Sequence, residues 1–121
     1  MTCDQWVNMR IDNYRFGSIA VDGREYKNDI IIFPTHVESD WWRRSGHELC
    51  VEDLASVIDF GPRTLIVGTG HYGRMKVLDE TTDRLRAIGC ELVVKKTKEA
   101  CEVYNSRRDE DGIFACLHLT C

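Results

Sequence analysis

From Val51 onwards the hydrophobic period of the chain switches repeatedly between that of a helix and that of a strand. Val51, Leu54, Ala55 and Ile58 fall at i, i+3, i+4 and i+7, one face of a helix. Glu52 and Asp53 stand in its first turn, where they complement the dipole, and Gly61-Pro62 stops it. Residues 63–67 then form a short run read as a strand. A second helix is expected over 80–88, with Thr81, Leu85 and Ile88 inside and Gly89 as its stop. Glu91-Leu92-Val93-Val94 is the next strand, and Thr97 is the expected N-cap of a third helix in which Ala100, Val103, Tyr104 and Arg107 share a face. Asp111-Gly112 turns the chain into a last strand over 113–120. Such alternation with short connections favours an open sheet flanked by helices.

The first third of the chain is richer in strand signals. Residues 14–21, YRFGSIAV, read as one strand running into Asp22-Gly23, a dipeptide suited to a type I′ turn with positive φ at both positions. Residues 24–27 would return. Asp29 introduces Ile30-Ile31-Ile32-Phe33, an unbroken apolar run that suits a strand covered on both faces, and Pro34 stops it. No repeat or low-complexity linker interrupts the 121 residues, so one α/β domain is expected over 1–121, with a mixed central sheet, flanking helices and an N-terminal β-hairpin.

Composition narrows the function classes. A net charge of −4 disfavours general binding to nucleic acid through phosphate neutralisation. Arg43-Arg44, Lys95-Lys96-Lys98 and Arg107-Arg108 are basic clusters, but each has acids close by and reads as a solvated face. Apolar runs reach five residues at most, far short of a membrane span, and the first ten residues carry no secretory or transit pattern. A cytoplasmic location is therefore expected. Six cysteines occur without any C-x-x-C, and most of them read as reduced, buried, small apolar residues.

Leu65 to Gly73, LIVGTGHYG, ends in G-x-G-x-x-G and invites a dinucleotide reading that its surroundings weaken. In that fold the third glycine lies in the first turn of a helix whose N–H groups face the pyrophosphate. Here Arg74 to Leu78 alternates like a strand, and the next plausible helix start is Asp79. The ribose-binding acid is also missing, because Lys95 and Lys96 close the following strand. No nicotinamide or other cofactor is expected.

Other chemistry is sparse. Cys116 and His118 stand two apart on a strand, hence on one face, but a metal would need further ligands. His36, His47 and His71 fall in loops without ligand spacing, Cys90 follows a helix-ending glycine, and no serine sits in a nucleophile elbow. Trp41-Trp42-Arg43-Arg44-Ser45-Gly46-His47 is more unusual. Two consecutive tryptophans on an extended chain cannot both face one core, so one belongs at a surface or groove. Arginine beside aromatics suits anion recognition and protein–protein hot spots. Topology adds a candidate pocket beyond the carboxyl ends of the strands, where Gly68, Thr69, Gly70 and His71 would meet Thr97, the lysines and Arg43.

Five stretches together resemble a family of small Mth-type domains: YRFGSIAVDGREYKNDIII (14–32), WWRRSGHEL (41–49), LIVGTGHYG (65–73), TKEACEVYN (97–105) and HLTC (118–121). That family includes an adipogenesis-associated Mth-domain protein and a mitochondrial assembly factor for respiratory complex I. The resemblance implies a three-layer α/β fold with a mixed central sheet and extra N-terminal strands. It implies no agreed activity, cofactor or catalytic residue. The expected role is that of a non-catalytic domain acting through a protein partner, of an assembly or regulatory type. The alternative is a small-molecule or anion-binding domain, with or without catalysis, centred on Gly68-Thr69-Gly70-His71.

Overall fold

The computed structural model describes residues 9–121, so Cys3 lies outside the described residues. The strands are β1 (Ile11–Arg15), β2 (Ser18–Val21), β3 (Arg24–Tyr26), β4 (Ile30–Ile32), β5 (Val37–Glu38), β6 (Glu48–Leu49), β7 (Thr64–Thr69), β8 (Lys76–Val77), β9 (Glu91–Lys95) and β10 (Ile113–His118). A 3-10 turn over Val51–Leu54 runs into α1 (Ala55–Phe60); α2 spans Asp79–Ala87 and α3 spans Thr97–Arg107.

Five strands form a mixed central sheet in the order β5-β4-β10-β7-β9. The last strand in sequence, β10, sits in the middle, parallel to β7 and antiparallel to β4. β7 in turn pairs in parallel with β9. Every residue of β4, β7 and β10 is buried, as their near-continuous apolar sequences require of strands covered on both faces. On one face Ile30, Ile32, Ile66, Ala115 and Leu117 pack with Ala100 and Tyr104 of α3 and with Ile11, Ile19 and Val21 of the three-stranded meander β1-β2-β3. On the other face Ile31, Leu65, Val67, Phe114 and Cys116 pack with Leu54, Val57 and Leu85. The three expected layers are present.

Local departures have physical causes. Residues 14–21 do not form one strand: Arg15 pairs with Ser18, leaving Phe16-Gly17 as a tight turn with Gly17 at φ 78°. β-branched and aromatic composition hid that turn, which a single glycine supplies. Asp22 and Gly23 do both adopt positive φ, at 49° and 79°, and β2 returns as β3. Ile88 falls just beyond α2 and is exposed, because Gly89 at φ 79° redirects the chain there. β7 continues through Gly68 and Thr69, so the first half of the expected glycine loop is sheet. Lys96, not Thr97, is the N-cap of α3, and it makes no side-chain cap. Thr97 is the first helical residue, its hydroxyl committed to the neighbouring strand ends as described below.

Candidate functional site

Chemistry-bearing side chains converge at the carboxyl end of β10. The otherwise apolar strand ends in His118, and the residue before β4 is Asp29; since β4 and β10 are antiparallel neighbours, these two meet. The Asp29 Oδ2 atom lies 2.7 Å from His118 Nδ1 and accepts at 2.7 Å from Nη1 of Arg43. Oδ1 accepts the backbone N–H of Leu119 at 2.8 Å. An ionised carboxylate can only accept, so the imidazole proton sits on Nδ1 and points at Asp29. The 3.0 Å approach of Arg43 Nη2 to that same Nδ1 is then packing between two donors rather than a hydrogen bond. Nη2 donates instead to the Gly46 carbonyl at 3.3 Å, and the guanidinium carbon lies 4.8 Å from the centroid of the Trp41 ring.

All three side chains are largely withdrawn from solvent. Burial alone would push the Asp29 carboxyl up, but hydrogen bonds from His118, the Leu119 amide and Arg43 outweigh it and hold Asp29 below the usual range. His118 Nε2 and Arg43 Nε are buried without a partner among the described residues. The cluster ties the segment before β4, the loop carrying Arg43 and the end of β10 into one unit.

The glycine segment lies directly beside it and is filled by the chain itself. A Cβ on Gly68 would lie 2.9 Å from Thr97 Oγ1 and from Leu117 Cδ2, so glycine here lets α3 sit tight on the sheet. Gly70, at φ 105°, would direct a Cβ to 2.6 Å from the backbone of Cys121 and 2.8 Å from the His118 ring. The Thr97 hydroxyl accepts the Gly70 N–H at 2.8 Å and donates to the His118 carbonyl at 2.6 Å. Thr69 Oγ1 donates to the Lys95 carbonyl, and the His71 amide donates to Thr120 at 2.6 Å. Thus Gly68, Gly70 and Thr97 do converge, on residues 117–121, and Arg43 joins them through the His118 ring. His71 points outward, edge-on to Phe16 and Tyr72 with centroids at 5.6 and 4.9 Å.

Two hollows flank this assembly. One, of about 380 Å³, is lined by Asp29, Asp40, Trp41, Trp42 and Thr120 among others. The other, of about 450 Å³, is bordered by His71, Lys96, Lys98 and Glu99. The tandem tryptophans split as extended backbone demands. Trp41 is 7% exposed, its indole N–H donating to the Asp53 carbonyl at 3.0 Å, whereas Trp42 is 77% exposed on the first hollow. Asp40, at φ 57°, turns the chain into this pair.

Cysteine chemistry finds little support in this geometry. Cys50, Cys90, Cys101, Cys116 and Cys121 are free thiols. Burial pushes Cys90 up to about 11 and Cys101 to about 12, and raises Cys116 still more. Cys116 and His118 share a face of β10, yet no group of three metal-ligating side chains occurs among the described residues. Nor is any described helix long and apolar enough to cross a membrane.

Asp29 escaped the sequence reading as a site residue, and His118 entered it only as a metal candidate. The available signal was a polar side chain abutting or interrupting an apolar run, Asp29 before Ile30 and His118 between Leu117 and Leu119. Such a group needs a partner, but only the β4–β10 pairing says which.

The model of a family described as protein of unknown function (DUF498/DUF598) matches residues 11–118. The chain belongs to that family. A conserved hypothetical protein from Pyrococcus horikoshii is 31% identical, with 93% of this chain and 99% of that chain covered at a TM-score of 0.80. A Bordetella pertussis protein described as a Mth938-like domain is 19% identical over 93% of this chain and 86% of its own, with a TM-score of 0.73. A Bartonella henselae protein described as an outer membrane protein is 20% identical over 92% of this chain and 94% of its own, with a TM-score of 0.76. At such identities the last two speak for the fold alone. DUF498/DUF598 membership and the Mth938-like fold together agree with the Mth-type resemblance carried by the five sequence stretches.

Proposed function

We propose that this DUF498/DUF598 protein is a non-catalytic, cytoplasmic domain that works by binding a protein partner, with Trp42 as the anchor. One observation carries the reading: a tryptophan 77% exposed between two buried neighbours, Trp41 and Arg43. Trp41 is held by Asp53 and Arg43 by Asp29, so the backbone of Trp42 is pinned on both sides. A large aromatic on a pre-organised segment loses little conformational freedom on binding, which is the usual character of a hot spot. The hollow beside it, bordered by Trp42, Lys27 and Thr120, offers a partner side chain somewhere to dock.

Trp42→Ala is expected to remove captured partner from an immobilised bait while leaving the fold intact. A partner retained equally by both forms would overturn the proposal. Fractionation of cells expressing the untagged protein tests the location.

A second reading has its own support. The hollow bordered by His71, Lys96, Lys98 and Glu99 sets two lysines against one acid on a protein of net charge −4 and adjoins the glycine segment, which suits a small anion. Thermal-shift screening with nucleotides, inorganic phosphate and carboxylates separates the two. A ligand-induced rise in Tm that Lys96→Ala abolishes would favour the anion.

A further inference from the structure

We infer that β9 is a self-complementary sheet edge on which a second copy of this chain docks as an antiparallel strand. Among the described residues β9 pairs only with β7, so its outer side is an edge of the central sheet. Such an edge leaves backbone N–H and C=O groups open to pairing with another strand.

The backbone fixes which register a partner strand must take. The Glu91 N–H donates to the Arg63 carbonyl at 2.8 Å, and the Lys95 carbonyl accepts from the Thr69 side chain; both groups therefore face β7. Alternation along the strand turns the N–H and C=O of Leu92 and Val94 outward. An antiparallel partner uses all four of these groups when Leu92 of one copy lies opposite Val94 of the other, forming two hydrogen-bonded pairs. That register sets Val93 against Val93 across the twofold axis. It also sets Glu91 of each copy against Lys95 of the other, in the non-hydrogen-bonded positions where side chains approach most closely.

The side chains agree with the backbone. ELVVK reads as acid, three apolar residues, base, so the register that satisfies the hydrogen bonds also makes two opposite-charge pairs. Any shift by one residue would turn the outward groups against inward ones and lose both. Val94 is 43% exposed, an apolar residue that this pairing covers. Glu91 accepts from both Nη atoms of Arg107, at 2.8 and 3.1 Å, but its side chain keeps about half its surface open. Its Oε1 also accepts from Thr64 Oγ1 at 3.4 Å, and the exposed part of the carboxylate leaves room for a lysine. The two sites are independent: Trp42 takes no part in this edge.

Sedimentation equilibrium over a concentration series, at low salt, tests the inference with three samples. Wild type is expected to self-associate to a dimer. Lys95→Glu replaces two attractions by two repulsions and should weaken that dimer at least about tenfold; Glu91→Lys should do the same. An equimolar mixture of the two variants restores an acid–base pair at both positions and should regain association, as a heterodimer, at wild-type strength. Circular dichroism melts establish that each variant is folded. A wild type that stays monomeric up to about 1 mM, a Kd at the weak end of specific association, would overturn the proposal. So would a Lys95→Glu variant that dimerises as well as wild type, or a mixture that fails to regain association.

Discussion

Two arginine-centred clusters stand in this domain, and they look alike on paper. Arg43 reaches Asp29 at 2.7 Å in company with His118; Arg107 reaches Glu91 at 2.8 Å and Glu110 at 2.9 Å. The first is buried where three segments of distant sequence meet, while the second lies on the surface between β9 and the end of α3. The difference in solvent decides their weight. Inside, removing one partner leaves the others charged or polar with little water to compensate. Outside, water and salt replace whatever is lost.

Arg43→Met should therefore have the largest effect, destabilising the domain by about 3–5 kcal/mol, because the Asp29 carboxylate loses its cationic partner and keeps only the His118 and Leu119 donors. Chemical denaturation checks it, and a loss no greater than that of a surface variant would erase the contrast between the two clusters. Gly70→Ala comes next, at about 1 kcal/mol or more, because alanine is strained at φ 105° and its Cβ would enter the backbone of Cys121. An unchanged melting temperature for that variant would mean that residues 119–121 yield freely. Ligand capture that fell without any loss of stability would instead favour the anion reading.

Acid sharpens the comparison further. Asp29 has its carboxyl lowered in the fold, so its stabilisation is complete above the ordinary aspartate range near pH 4. It is lost as pH falls from there through the lower folded value. Glu91 and Glu110 are lowered as well, held down by hydrogen bonds from Arg107, and their contribution fades in the same direction. Salt tells them apart: the acid limb of the stability curve at high ionic strength should retain the Asp29 part and shed most of the other. Asp29→Asn should flatten what remains. Smallest of all, Arg107→Gln should leave Tm within about 2 °C of wild type in moderate salt.

Legibility in the sequence followed the range of the interactions. The helices after Val51 and the strands β4, β7, β9 and β10 were visible because each writes its own period into neighbouring residues. The Asp22-Gly23 turn was visible for the same reason. Phe16-Gly17 was not, since one glycine amid strand-forming residues leaves the local pattern intact. Thr97 looked like a cap because its type favours that role, yet its hydroxyl serves Gly70 and His118, contacts that exist only once β7 and β10 are adjacent. Asp29, Arg43 and His118 are separated by up to 89 residues, and nothing short of the sheet order unites them. Trp41-Trp42 lay between these cases: alternation said that one ring must leave the core, and the Arg43 anchor decided that it was Trp42.

That outward ring offers the sharpest test. Wild-type protein and Trp42→Ala are immobilised side by side, the captured proteins are quantified, and melting temperature is measured on the same preparations. The buried cluster should hold the frame regardless, so Tm should stay within about 2 °C. The captured partner should fall to the level of a blank matrix. The same partner retained on Trp42→Ala in wild-type amount, at the same Tm, would contradict the assignment of binding to this face.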